Sequence, residues 1–272
     1  MADPDRPIAW ANFLAGVWGR RFPVDVRTIA LEYSTRYPDP IKTVRPADIE
    51  SFEGALCPLP KSGKWAILYN PAIASPGRIN FTLAHELGHY LCHRGRSPGG
   101  FECGEADMLG LAGNEPLRLI EQEADAFASY LLMPIDDYRE QVGRNVMSLD
   151  LLNHSADRYG VSRTAAAIKW LDFTPECAAL VVATNGFVLW GWRSRNAKRR
   201  RIFYDKGMAL PPASVAAQPA RMLGEAGVLH PPGVWHPRSE VREMAIFADN
   251  YEMTISLLLF GDEDWRVGLE ES

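Results

Sequence analysis

The chain has 272 residues, 47% of them hydrophobic, and a formal net charge of −5. It can therefore bury a core sufficient for one large or two modest domains, and its acidic balance argues against wholesale nucleic-acid binding, which needs a basic surface. No run of eighteen apolar residues is present, and Met1 to Pro7 lacks the basic end and apolar stretch of a secretion signal, so a cytoplasmic protein without a membrane partner is expected. Cys57, Cys92, Cys103 and Cys177 form no C-x-x-C pair and read as reduced thiols, neither a disulfide framework nor a thiolate zinc site.

From Ile8 to about Arg20, Trp10, Phe13, Leu14, Val17 and Trp18 recur at helical spacing, and Val26, Ile29, Ala30 and Tyr33 do so between Pro23 and Arg36. Both read as scaffold helices. Pro38, Pro40 and Pro46 then break the chain. Phe52 to Cys57 and Lys64 to Tyr69 read as two strands across a Pro- and Gly-containing connection.

The next stretch, Phe81-Thr82-Leu83-Ala84-His85-Glu86-Leu87-Gly88-His89-Tyr90-Leu91, sets H-E-x-x-H inside an apolar repeat of helical period. Four residues apart on a helix, His85 and His89 share a face and can reach one ion, with Glu86 directed at the adjacent coordination position. That is the geometry of metal-assisted hydrolysis, with Glu86 as the base that takes a proton from water. His93 lies two turns, about 11 Å, from His85 and cannot join the same ion; it reads as a surface histidine in the last turn.

A catalytic zinc site wants a third protein ligand. Glu121-Gln122-Glu123-Ala124-Asp125 opens a second helical run whose packing stripe is Ala124, Phe127, Ala128, Leu131 and Leu132, ending at Pro134. Glu121 and Asp125 are four apart on one face, so Glu121 is assigned as the ligand and Asp125 as the acceptor for a ligating histidine's free N–H. Glu123 is the fallback ligand. Zn²⁺ suits a His₂Glu set, with Mn²⁺ as the alternative.

F-T-L-A-H-E-L-G-H-Y-L followed by E-Q-E-A-D-A-F-A-S-Y-L-L-M-P resembles the ImmA/IrrE family of metallopeptidases over about Gly54 to Leu171. The resemblance implies a zincin-like core, His85, His89 and Glu121 as ligands, Glu86 as general base and Asp125 at the family's Asp/Asn position. It also implies a role in bacterial regulation, in which members cleave a helix-turn-helix repressor of the Xre type. On the same basis Trp65 to Tyr69 would present unpaired backbone to an extended substrate; a fully paired core strand is the equal alternative.

Between Arg94 and Pro116 the chain is Gly-rich, with Glu102, Glu105 and Asp107, and reads as a flexible connector or a gate beside the metal. Ser148 to Tyr159 and Ser162 to Leu171 are helical patterns joined at Gly160, a helix-turn-helix outline whose second helix offers only Arg163 and Lys169 as cations; scaffold packing is favoured over DNA contact. Strands follow at Ala178 to Thr184 and Phe187 to Arg193, flanking Asn185-Gly186, and at Met244 to Ala248 and Met253 to Phe260, flanking Asp249-Asn250-Tyr251-Glu252. The basic run Arg193 to Arg201 reads as a solvated loop, with an acidic partner or nucleic acid as the alternative.

The expected class is α+β: a zincin-like metallopeptidase domain at 1–145, a helical helix-turn-helix-like segment at 146–174, and a mainly antiparallel domain at 176–272, GAF-like and sensory by analogy with relatives. The leading function is a zinc endopeptidase that cuts a regulatory protein under stress or in a mobile-element response. A non-proteolytic DNA-binding regulator and a partner-sequestering, antitoxin-like module are the alternatives.

Overall fold

The computed structural model describes residues 3–48, 52–97, 99–103, 115–143, 145–218, 224, 226–248 and 253–261. The chain is mixed α+β and divides into two compact units, Met1–Gly143 with His154–Ser162, and Arg144–Asn153 with Arg163–Ser272. Among the described residues no helix is long and apolar enough to cross a membrane.

The first unit combines helices α1 (Pro7–Trp18) and α2 (Val26–Tyr33), strands β1 (Ile41–Pro46), β2 (Gly54–Leu59), β3 (Lys64–Tyr69) and β4 (Phe101–Cys103), and helices α3 (Pro76–Cys92), α4 (Glu115–Leu132) and α5 (Ile135–Val142). Its sheet has the order β1-β3-β2-β4, with β1 parallel to β3 and the other pairs antiparallel. Thus β3 is paired on both edges and cannot accept an added strand; the expectation that Trp65 to Tyr69 faces a substrate is corrected, and the fully paired alternative holds. Two elements went unread in the sequence. The proline-punctuated stretch after residue 38 contains β1, and β4 lies within the segment read as a connector, whose residues 104–114 fall outside the described ones.

Helix α3 starts where Ser75 Oγ accepts from the Arg78 N–H, with Pro76 at the first helical position, where its missing N–H costs nothing. Thr82 through Leu91 are all buried, so this part of the helix is enclosed on every side, with β2, β3, α2 and α4 packed on the helix. On α4 the stripe of Ala124, Phe127, Ala128, Leu131 and Leu132 has no exposed surface. Burying residues the size of Phe or Leu contributes about 1.5–3 kcal/mol each, and here it locks the two helices that carry the candidate site. Gly88 allows their close approach, since a Cβ there would lie 3.0 Å from Phe127 Cδ1.

After Pro134 the chain forms α5, also unread in the sequence, and then α6 (Leu149–Tyr159) and α7 (Arg163–Phe173), which fit the two helical patterns. Asp137 of α5 is a buried hub. It accepts from Arg20 (2.6 Å), Arg158 (2.9 and 3.0 Å) and the Tyr159 hydroxyl (2.7 Å).

In the second unit, β5 (Ala178–Thr184), β6 (Phe187–Arg193), β7 (Val228–His230), β8 (Val241–Ala248) and β9 (Met253–Phe260) form an antiparallel sheet of order β6-β5-β9-β8-β7. The positive φ of Asn185 (50°) and Gly186 (79°) closes the β5–β6 hairpin as the Asn-Gly pair requires. The proposed Asp249 to Glu252 turn lies outside the described residues. The basic run is not a loop: Ser194 caps a short helix, α8 (Arg195–Arg199), whose Ala197 enters the core with Cys177, Val181, Ile202 and Trp235. Helix α7 packs on β5 and β6 and buries Ala166, Ala167, Lys169, Trp170 and Leu171. Buried Glu243 accepts five hydrogen bonds, from the Val215 and Ala216 amides, His230, Trp235 and Ser256, at 2.7–2.9 Å.

Burial pushes the Asp137 carboxyl up, but its bonds from Arg158, Tyr159 and Arg20 outweigh this and hold it at about 2, against 3.8 unperturbed. The folded value lies below the unfolded one, so the stabilisation is complete above about pH 4 and fades as pH falls toward 2. We expect Asp137→Asn to lower unfolding free energy by about 2 kcal/mol at neutral pH, measured by urea denaturation. The gap to wild type should narrow as the pH drops below 4.

Candidate metal centre

Helix α3 places His85 and His89 one turn apart, both fully buried, and α4 brings Glu121 against them. The two Nε2 atoms are 2.9 Å apart, and Glu121 Oε2 lies 3.1 Å from His85 Nε2 and 3.4 Å from His89 Nε2. Four ligands on a tetrahedron with bonds of about 2.0–2.1 Å would sit about 3.3 Å from one another. The cluster therefore has close to the spacing one small ion needs, and its two neutral nitrogens and one carboxylate are donors suited to zinc. Among the described residues this is the group of three or more His, Cys, Asp or Glu side chains arranged to hold a metal.

The three acids of the Glu121 to Asp125 stretch take three different positions. Glu121 reaches both imidazoles. Asp125 Oδ1 accepts from His85 Nδ1 at 2.9 Å, which leaves Nε2 with its lone pair toward the cluster. Glu123 points elsewhere: its Oε2 accepts from His93 Nε2 at 2.9 Å. Thus the structure brings together the ligand triad expected from the sequence, along with Asp125, and leaves the fallback Glu123 outside it. His93 is not the surface residue expected. It is 1% exposed and lies just past the end of α3, with its Nδ1 3.1 Å from His89 Nδ1.

The electrostatics suit cation capture. Burial pushes the Glu121 carboxyl up, yet the two imidazoles against it outweigh this and leave the group well below the ordinary carboxylate range. Burial lowers His89 to about 4 and lowers His93 as well, so both rings are neutral at pH 7. Burial raises Asp125, against the pull of its His85 bond.

Glu86 is fully buried on the same helix. Beside it runs Gly54 of β2, where a Cβ would come within 2.4 Å of Thr82 Cγ2 and 2.9 Å of Glu86 Oε1. Sequence reasoning missed Gly54, because only the packing of β2 on α3 reveals it. Phe101 of β4 was missed too; it stacks on the His89 ring at 4.3 Å and 13°. Cys92 is a packed thiol, pushed up to about 12 by burial.

Residues 42–171 match the peptidase family described as IrrE N-terminal-like domain. The chain carries an ImmA/IrrE-family domain. The triad, Glu86 and both helices that bear them fall inside this ImmA/IrrE stretch, which begins at β1 and closes near the end of α7. Among solved structures, the chain is similar to a Mycobacterium tuberculosis transcriptional regulator, with 12% identity, a TM-score of 0.57, and coverage of 93% of this chain and 76% of that one. At that identity the likeness is one of fold. No curated protein matches the chain in sequence.

The geometry separates ligand from fallback. Glu121→Ala should weaken Zn²⁺ binding by more than about 100-fold, the upper end of what loss of an outer partner costs, and Glu123→Gln should weaken it far less. A chelator-competition titration measures both, and equal losses would contradict the assignment.

Proposed function

We propose that this protein is a zinc-dependent endopeptidase of the ImmA/IrrE type that hydrolyses a peptide bond in a regulatory protein. The substrate class we favour is an Xre-type helix-turn-helix repressor, and the setting a bacterial stress or mobile-element response in the cytoplasm. The observation that carries the reading is the convergence of His85, His89 and Glu121 with Glu86 at the intervening position, inside a stretch that matches a peptidase family. In functional terms 1–145 is the catalytic part, 146–174 a helix-turn-helix-like segment, and 176–272 a sensor, GAF-like by analogy.

His85, His89 and Glu121 would hold a Zn²⁺ ion, which would supply a Lewis acid to polarise the scissile carbonyl and lower the pKa of water. Glu86 takes the water's proton on a carboxylate oxygen and returns it to the leaving amine nitrogen. Asp125 keeps His85 in the tautomer that turns Nε2 to the ion. The bare Cα of Gly54 leaves room for the Glu86 carboxylate. Because β3 is enclosed, substrate pairing falls to β4, an edge of the sheet among the described residues, whose Phe101 touches His89; an extended peptide added there would run beside the cluster.

A non-proteolytic DNA-binding regulator is the second reading, favoured by the fold shared with a protein described as a transcriptional regulator. Against it, Lys169, one of two basic residues on α7, is buried and cannot meet phosphate. Salt-sensitive DNA binding that persists in Glu86→Gln would support it.

Co-expression with an Xre-type repressor, followed by the repressor's intact mass, tests the peptidase. We expect cleavage by wild type, while Glu86→Gln keeps its zinc and loses about 10²–10⁴ in rate. Gly54→Ala should also retain zinc and cleave more slowly, because the new methyl displaces Glu86 or Thr82. Undiminished cleavage by Glu86→Gln would remove Glu86 from the mechanism.

A further inference from the structure

His89 is held on two sides besides the cluster. Its ring plane lies against Phe101, and its Nδ1 is 3.1 Å from His93 Nδ1. On the far side of His93, Nε2 lies 2.9 Å from Glu123 Oε2, and Arg96 Nη1 is 3.8 Å from the same oxygen. A neutral imidazole has one N–H and one lone pair. With a carboxylate oxygen at one end, the contacts His89–His93–Glu123 take a single proton order. A carboxylate oxygen accepts, so the contact with Glu123 Oε2 puts the hydrogen of His93 on Nε2. His93 Nδ1 is then a lone pair, so His89 Nδ1 must donate to it. His89 Nε2 is left with its own lone pair, directed at His85 Nε2 and Glu121 Oε2.

We infer that His93 and Glu123 are positioning residues, forming a relay His89–His93–Glu123 that sets the tautomer and ring orientation of His89 for metal binding. This rests on the peptidase reading above in one respect, that His89 is a ligand. The relay explains why a histidine that cannot reach the ion is almost fully buried beside one that can. It also gives Glu123 a role in place of ligation. Each of the two imidazole ligands then has its own acidic anchor on α4: Asp125 directly for His85, and Glu123 through His93 for His89. The same helix that contributes Glu121 therefore orients both of its co-ligands.

The test uses the full chain as metal-free protein, with Zn²⁺ affinity from chelator competition, the Co²⁺ absorption spectrum as a report on ligand geometry, and thermal unfolding of the metal-free form. His93→Phe fills the space but cannot accept from His89. We expect it to bind Zn²⁺ about 10–100-fold more weakly than wild type, the usual effect of losing an outer partner, with an altered Co²⁺ spectrum. Glu123→Leu should weaken binding in the same sense, and Glu123→Gln, whose amide oxygen still accepts from His93, should weaken it less. This order among the Glu123 variants is not one that general loss of packing produces, and it stands as the test if His93→Phe does not fold. Folded His93→Phe and Glu123→Leu that both bind within about twofold of wild type, with its Co²⁺ spectrum, would overturn the relay and leave the peptidase reading intact. A wild-type chain that binds no Zn²⁺ would overturn both.

Discussion

Everything at the candidate centre depends on two helices approaching closely enough for one carboxylate to touch two imidazoles. A helix presents residues four apart on a common face, so α3 alone can align His85 and His89, but the third donor must come from a second element. The approach of α4 is set by packing: Gly88 of α3 lies against Phe127, and the fully buried stripe from Ala124 to Leu132 holds the register. A side chain at Gly88 would press on Phe127. Burial that stabilises the unit and geometry that builds the site are thus one arrangement.

The same contact makes the centre a site with a strong electrostatic bias. Removing the imidazoles and Glu121 from water is costly for any charge placed there, and the two histidines against Glu121 outweigh that effect on its carboxyl. A cation completes the balance, since it pairs with the carboxylate and with two imidazole nitrogens, of which that of His89 is kept neutral by burial. The second unit handles its own buried acid differently. Glu243 is enclosed by five donors, including two backbone amides of the 214–216 turn, and ties that turn, β7 and β9 together. A carboxylate so fully satisfied serves structure, whereas one shared by two imidazole nitrogens is arranged for exchange with a ligand.

Much of this was legible in the sequence because it is local. The i, i+4 spacing of His85 and His89, the stripe on α4 and the Asn185-Gly186 turn are short-range patterns, and each element they specify is present. Strand β3 spans the same residues in both readings, Lys64–Tyr69, yet its place inside the sheet was not legible, because strand order is set by long-range pairing with β1. Strand β1 was hidden by prolines at 38, 40 and 46, which flank and end it rather than interrupt it. Helix α5 was missed because Pro134 reads as a stop although it also precedes a new helix. The roles of Glu121, Glu123 and Asp125 separate only once α4 has a fixed rotation against α3, and the burial of His93 follows from the same fact. Gly54 and Phe101 carry no motif at all; their significance lies in which side chains the sheet brings beside Glu86 and His89.

The central claim is that one metal ion is bound by two imidazoles and one carboxylate contributed by two helices. X-ray absorption at the zinc edge of the purified chain loaded with one equivalent of Zn²⁺ addresses it directly. The account predicts a first shell of nitrogen and oxygen only, at about 2.0–2.1 Å, with outer scattering from two imidazole rings. Sulfur scattering at about 2.3 Å, or imidazole scattering that does not change in His89→Ala, would contradict it.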